Sequence, residues 1–130
     1  LRHIIINKGW LYISINKYGY IQRTPLESFI SHIKTLDQPY NKWEEVYVGI
    51  GARTIEASSD GNYIFSCVNN GSKLVVVNTE FMSVETSVRV DSYPVGLDIS
   101  KDNKWLITTS QGRSGKGGGN SVCIFKATYN

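Results

Sequence analysis

Arg53-Thr54-Ile55-Glu56-Ala57-Ser58-Ser59-Asp60-Gly61-Asn62-Tyr63-Ile64-Phe65 returns 42 positions later as Val95-Gly96-Leu97-Asp98-Ile99-Ser100-Lys101-Asp102-Asn103-Lys104-Trp105-Leu106-Ile107. Each copy reads as a strand, a polar turn and a second strand. Working outward, Val46-Tyr47-Val48-Gly49 and Val88-Arg89-Val90-Asp91 precede the two copies at the same offset. After the first copy come Asn69-Asn70-Gly71-Ser72 and the apolar run Lys73 to Thr79; after the second come a longer loop and Ser121-Val122-Cys123-Ile124-Phe125. Each unit is therefore expected to hold four strands joined by hairpins.

Asp60-Gly61 and Asn70-Gly71 are dipeptides suited to positive φ at the centre of a two-residue hairpin. Tyr63-Ile64-Phe65, Leu74-Val75-Val76-Val77 and Trp105-Leu106-Ile107 are apolar on successive residues, which predicts strands buried on both faces. A period of roughly 40 to 45 residues with four short strands per unit is the signature of propeller blades stacked face to face. A diverged copy leads the chain: Arg2 to Asn7 as innermost strand, Asn7-Lys8-Gly9 as turn, Trp10 to Ser14 as second strand and Gly19 to Arg23 as third. Arg2 then sits where Arg53 sits. The polar stretch Lys34 to Lys42 reads as an insertion before strand four or a crossover, and the units run over residues 1–51, 52–93 and 94–130.

Gly51 to Phe65, with Val75-Val76-Val77-Asn78-Thr79 and Tyr93 to Ser100, resembles the bacterial YVTN-type β-propeller repeat. The resemblance is strong from Gly49 onward and weaker before it. Ser59 and Lys101 replace the family's usual proline, and Asn103 its usual glycine. The family is mostly periplasmic or cell-surface and spans lactonase-like, redox-associated and many other proteins. Resemblance thus implies architecture and a bacterial envelope location far more than an activity.

Twelve glycines and 12% aromatic residues in 130 suit a turn-rich all-β chain with a modest core. A net charge of +3 is ordinary, and without a basic stripe or an RNA-binding motif nucleic acid is not an expected partner. No apolar run approaches the roughly 20 residues that span a bilayer, and no signal peptide heads the sequence. Cys67 and Cys123 fall on different strands of different units, too far apart for the roughly 7 Å limit of a disulfide, so two free thiols are expected.

Most routes to chemistry close quickly. His3 and His32 lack a ligand partner at metal spacing, so neither metal nor cofactor is expected. Glu44 and Glu45 are adjacent and point to opposite faces of a strand, which prevents an acid and base pair. No Gly-x-Ser-x-Gly elbow occurs. Gly112-Arg113-Ser114-Gly115-Lys116-Gly117-Gly118-Gly119-Asn120 lacks the P-loop spacing and lies between strands. It reads as a long hairpin loop carrying two cations.

In a propeller the starts of innermost strands and the loops between second and third strands share one end of the channel. Arg2, Arg53, Asn69, Asn70, Tyr93, Gln111, Arg113 and Lys116 are expected there, forming a cationic, amide-rich mouth suited to carboxylates or phosphates. The expected function is a non-catalytic scaffold that binds a ligand or protein through this face. The rival is a lactonase-like hydrolase in which channel arginines polarise a carbonyl; it calls for a Glu, Asp or His at the mouth, where the sequence places only His3. A third reading is a subunit that completes its ring with a partner chain. Three blades make an open arc with apolar end faces, and the last unit ends one strand short, so further blades or a partner chain are expected to supply the missing strand.

Overall fold

The computed structural model describes residues 1–35, 38–112 and 119–129. Three antiparallel sheets follow one another along the chain. The first holds β1 (Ile4–Asn7), β2 (Trp10–Ile15), β3 (Tyr20–Pro25) and β4 (Glu44–Tyr47). The second holds β5 (Ala52–Ala57), β6 (Tyr63–Val68), β7 (Lys73–Asn78) and β8 (Ser83–Arg89), and the third β9 (Pro94–Ile99), β10 (Trp105–Ser110) and β11 (Ser121–Lys126). Within each sheet neighbours in space are neighbours in sequence, and β5 packs beside both β1 and β9. The molecule is a β-propeller segment: three blades in an open arc, the third without an outer strand among the described residues.

Directly paired residues share a sheet face, so the register shows what each face meets. Tyr12, Ile21 and Val46 of the first sheet pack on Ile55, Ile64, Val68, Val75 and Val77 of the second. The other face of the second sheet, with Phe65, Cys67 and Leu74, packs on Leu97 and Leu106 of the third. The second sheet is thus covered on both sides, as its uninterrupted apolar runs require. The same expectation fails for Trp105-Leu106-Ile107. Leu106 is buried, but Trp105 and Ile107 are 44% and 41% exposed because no sheet stacks on that side of β10. At the opposite end Ile4 and Ile6 are 60% and 63% exposed for the same reason.

The repeat holds at the level of single hydrogen bonds. Ser58 Oγ donates to Asp60 Oδ1 at 2.6 Å and accepts from Tyr63 N at 3.1 Å; Ser100 Oγ donates to Asp102 Oδ1 at 2.6 Å and accepts from Trp105 N at 3.0 Å. Asp60 and Asp102 also accept from Asn62 N and Lys104 N. These bonds hold both carboxyls below their ordinary range. Each turn spans five residues and is closed by serine and aspartate, with positive φ only at Gly61 (81°) and Asn103 (63°). The expected two-residue turn centred on Asp60-Gly61 is therefore not formed. At Asn70-Gly71 the positive φ falls on Ser72 (47°), since the hairpin is a four-residue loop closed by Ser72 N donating to Asn69 O. The two-residue form does occur at Lys8-Gly9, where both φ are positive and Asn7 pairs with Trp10.

The excursion between β3 and β4 begins earlier than its polar stretch suggests. Leu26–Ile33 forms a helix, α1, starting directly after Pro25 and placing Glu27 in its first turn. Leu26, Phe29, Ile30 and Ile33 recur at helical spacing and make one side apolar. Phe29 meets the rings of Tyr40 and Trp43, and Tyr40 bonds Thr24 through its hydroxyl at 2.5 Å. This packing shields Thr24, which is fully buried, on the side of the first sheet that carries Ile4 and Ile6.

Both cysteines are free, and burial pushes the Cys67 thiol up to about 12.

Candidate functional site

The starts of β5 and β9 and the loop between β6 and β7 converge at one end of the molecule through main-chain bonds. Gly51 N donates to Asn16 O at 2.9 Å, Asn69 N to Gly51 O at 3.0 Å and Gln111 N to Tyr93 O at 3.1 Å. Gly51 has φ of 96°, and a Cβ there would stand 3.0 Å from Asn70 N, so only glycine lets the chain pass this close before delivering Arg53.

Arg53 is held from two sides. Its Nη1 donates to the Asn69 side-chain oxygen at 3.1 Å, in the amide orientation that also lets the Asn69 nitrogen donate to Pro94 O. Its guanidinium carbon lies 5.6 Å from the centre of the Tyr93 ring. Asn69 is itself buried, which makes the arrangement a fixed support rather than a surface contact. Among the described residues the one ion pair is Arg23 with Glu44, at 2.9 Å in the first sheet; Arg53 has no carboxylate partner.

The structure thus brings Arg53, Asn69 and Tyr93 into contact and sets Gln111 beside Tyr93 through the main chain. Arg2 lies two residues ahead of β1, whereas Arg53 is within β5; the Arg2 N–H donates to Ser14 O at 3.0 Å. Its side chain is exposed and makes no hydrogen bond with the Arg53 group. Arg113 and Lys116 lie outside the described residues.

Side chains on the first and second strands staple each sheet to the next. Ser14 Oγ donates to Arg53 O at 2.6 Å, Thr54 Oγ1 to Val95 O at 2.5 Å and Cys67 Sγ to Gly96 O at 3.6 Å. His3 Nδ1 accepts from Ile55 N at 3.0 Å. Next to these lie two carboxylates that the sequence reading passed over, Glu56 and Asp98, which occupy the same repeat position 42 residues apart. Burial pushes the Glu56 carboxyl above its ordinary value, the charge of Asp98 adds to the rise, and His3 opposes it. Glu56 pairs with Phe65 and so stands on the face that meets the third sheet, while Asp98 pairs with Ile107 and is exposed on the uncovered face of the third sheet. The signal was available: both carboxylates interrupt apolar strands at matched positions. No group of three or more His, Cys, Asp or Glu residues is arranged to hold a metal ion among the described residues.

No family model matches the chain, and no curated protein matches it. Solved structures do. A 6-phosphogluconolactonase-like protein from Bacteroides uniformis superposes with a TM-score of 0.73 over 96% of this chain and 36% of its own, at 13% identity. Hydrazine synthase from Kuenenia stuttgartiensis gives 0.72 over 85% of this chain and 29% of its own, at 19% identity. The β-propeller domain of Cps50 (Swd1) from Myceliophteria thermophila gives 0.60 over 81% and 32%, at 9% identity. At such identities the likeness is one of fold, and the chain spans about a third of the length of these structures.

Proposed function

We propose that this chain is part of a non-catalytic propeller scaffold that binds an anionic small molecule or an acidic protein surface at the end of the axis carrying Arg53. One observation carries the reading: Arg53 is fixed by Asn69 and Tyr93 yet not neutralised. A guanidinium oriented in advance loses little freedom when it takes a carboxylate or phosphate, which is the economy of a binding site. Arg113 and Lys116, expected at the same end from the sequence alone, would add to the potential there. A bacterial envelope setting rests on the resemblance to the YVTN-type repeat. The test is titration calorimetry of the full native chain with inorganic phosphate and citrate at two salt concentrations. Binding that weakens with salt and is lost in Arg53→Gln supports the proposal; affinity unchanged by that substitution makes Arg53 structural.

A lactonase-like hydrolase is the second reading, favoured by Glu56 and Asp98 beside His3. It expects lactone hydrolysis that falls by orders of magnitude in Glu56→Gln, with Arg53 polarising the carbonyl. The ring itself is proposed to be completed by further blades or a partner chain. A groove between Phe125 to Tyr129 and the face of the second sheet bearing Leu74, Val76 and Val88 lies beside β11, the outermost strand of its sheet among the described residues, where the other two sheets have a fourth strand. An extended segment bonded to β11 would fill it.

A further inference from the structure

The staples between sheets form a series with one more member than the molecule has joints. Ser14, Cys67 and Thr109 hold the same place in β2, β6 and β10, each paired with the second residue of the third strand, Ile21, Leu74 and Val122. Ser14 Oγ donates to the carbonyl of Arg53 and Cys67 Sγ to that of Gly96, both near the start of the next sheet's first strand. Thr109 brings a hydroxyl to the third place, exposed on the face with Trp105 and Ile107 that no sheet covers.

The apolar residues follow the same series. Trp105 and Ile107 stand 42 positions after Tyr63 and Phe65, which pack on the third sheet. Ile4 and Ile6 stand 51 positions before Ile55 and Ala57, which pack on the first. One free face is thus of the kind that receives a first strand, and the other of the kind that is received. Asp98, on the receiving face, has the position of Glu56 within a covered joint, so a carboxylate there is compatible with stacking. The outer part of the first sheet's free face is already occupied: along one row Ile6 is exposed while Leu11 and Thr24 are buried, because α1, Tyr40 and Trp43 cover the end of β3. What stays open is the width of the inner strands. The third sheet, with three strands among the described residues, matches it.

We propose that the two ends meet between copies: the third sheet of one chain stacks on the first sheet of a second, with Thr109 donating to the main-chain carbonyl of the second copy's Arg2, the counterpart of Arg53. The inference rests on the reading that further blades or a partner chain complete the ring, and it names the partner. Head-to-tail contacts close into a ring when the rotation fits. Two copies give six blades, within the typical range of about 4 to 8, whereas three give nine. The two-fold axis of that ring is the propeller axis, so Arg53 of both copies stands at the same end and the anion site gains a second guanidinium.

Sedimentation velocity of the native chain is expected to show one discrete species of two chains at micromolar concentration. Ile6→Lys spoils one face and Ile107→Glu the other, and each variant alone should raise the dissociation constant of that species about tenfold or more. An equimolar mixture should recover it, since each variant keeps the face that the other has lost and an unfolded chain could not take part. A two-chain species undiminished in either variant alone means that like faces pair; that result, or a mixture that recovers nothing, overturns the proposal. A ladder of larger species shows ends that join without closing, which also overturns it but leaves further blades to complete the ring. A monomer shows ends that do not join, and both readings fall.

Discussion

Burial and the charge of Asp98 both disfavour ionised Glu56, so the native chain keeps this proton at pH values where the unfolded chain has released it. Between the ordinary carboxylate range and the raised native value, the native state binds more protons, and stability from this residue falls as pH rises. Glu56→Gln is therefore expected to raise Tm at pH 8 and to leave it unchanged near pH 4; an equal shift at both would assign the effect to packing. Asn103 poses a different question, since it adopts φ of 63° and also links to the neighbouring turn, accepting from Ser59 N at 3.0 Å and donating to Ser59 Oγ at 2.7 Å. Asn103→Gly keeps the backbone at ease and loses the link, whereas Asn103→Ala loses both. The alanine variant should be the less stable by about 1 kcal/mol in urea denaturation. That Asn103 can stand where its counterpart is Gly61 follows from asparagine's tolerance of the left-handed region, and the repeat was legible in spite of the change.

At the scale of elements, the turns between first and second strands carry their own closure. Ser58→Ala leaves the Tyr63 N–H without its side-chain acceptor, and Ser100→Ala does the same for Trp105. Each should cost about 1 kcal/mol, with the larger loss at Ser58 because it is fully buried and Ser100 is not. Equal losses in chemical denaturation would show that burial is irrelevant to these turns. Strand positions could be read from the sequence because an offset of 42 aligns three features at once: the alternating segment, the polar turn and the apolar run. Turn geometry could not, since Asp-Gly and Asn-Gly suit a two-residue hairpin as well as the longer loops that formed, and only the side-chain bonds decide. Helix α1 was legible in Leu26, Phe29, Ile30 and Ile33, yet the repeat assigns nothing between the third strand, ending at Arg23, and the polar stretch from Lys34. Glu56 was overlooked because a carboxylate in a strand usually faces solvent, as Asp98 does, whereas Glu56 stands partly buried on the face that meets the third sheet.

The whole molecule presents two uncovered apolar ends, Ile4 and Ile6 on one and Trp105, Ile107, Val122 and Ile124 on the other. The 130-residue chain on its own is expected to self-associate at micromolar concentration, and Ile6→Lys with Ile124→Glu should shift it toward monomer in sedimentation velocity. A monomeric native chain would mean that these ends are not sticky in water. Arc geometry was accessible from the repeat because blades differ little from one another; the support of Arg53 was not, since it depends on residues from two sheets meeting through a buried amide. The staples between sheets have a further consequence. Ser14, Thr54 and Cys67 all deliver their hydrogen bonds to main-chain carbonyls, those of Arg53, Val95 and Gly96. A carbonyl is the same whichever residue bears it, so for these bonds the receiving blade needs no matching side chain. When a gene segment encoding one blade is duplicated and inserted beside another, this hydrogen-bonded part of the new seam can close at once, leaving only the apolar contacts to be tuned by later mutation.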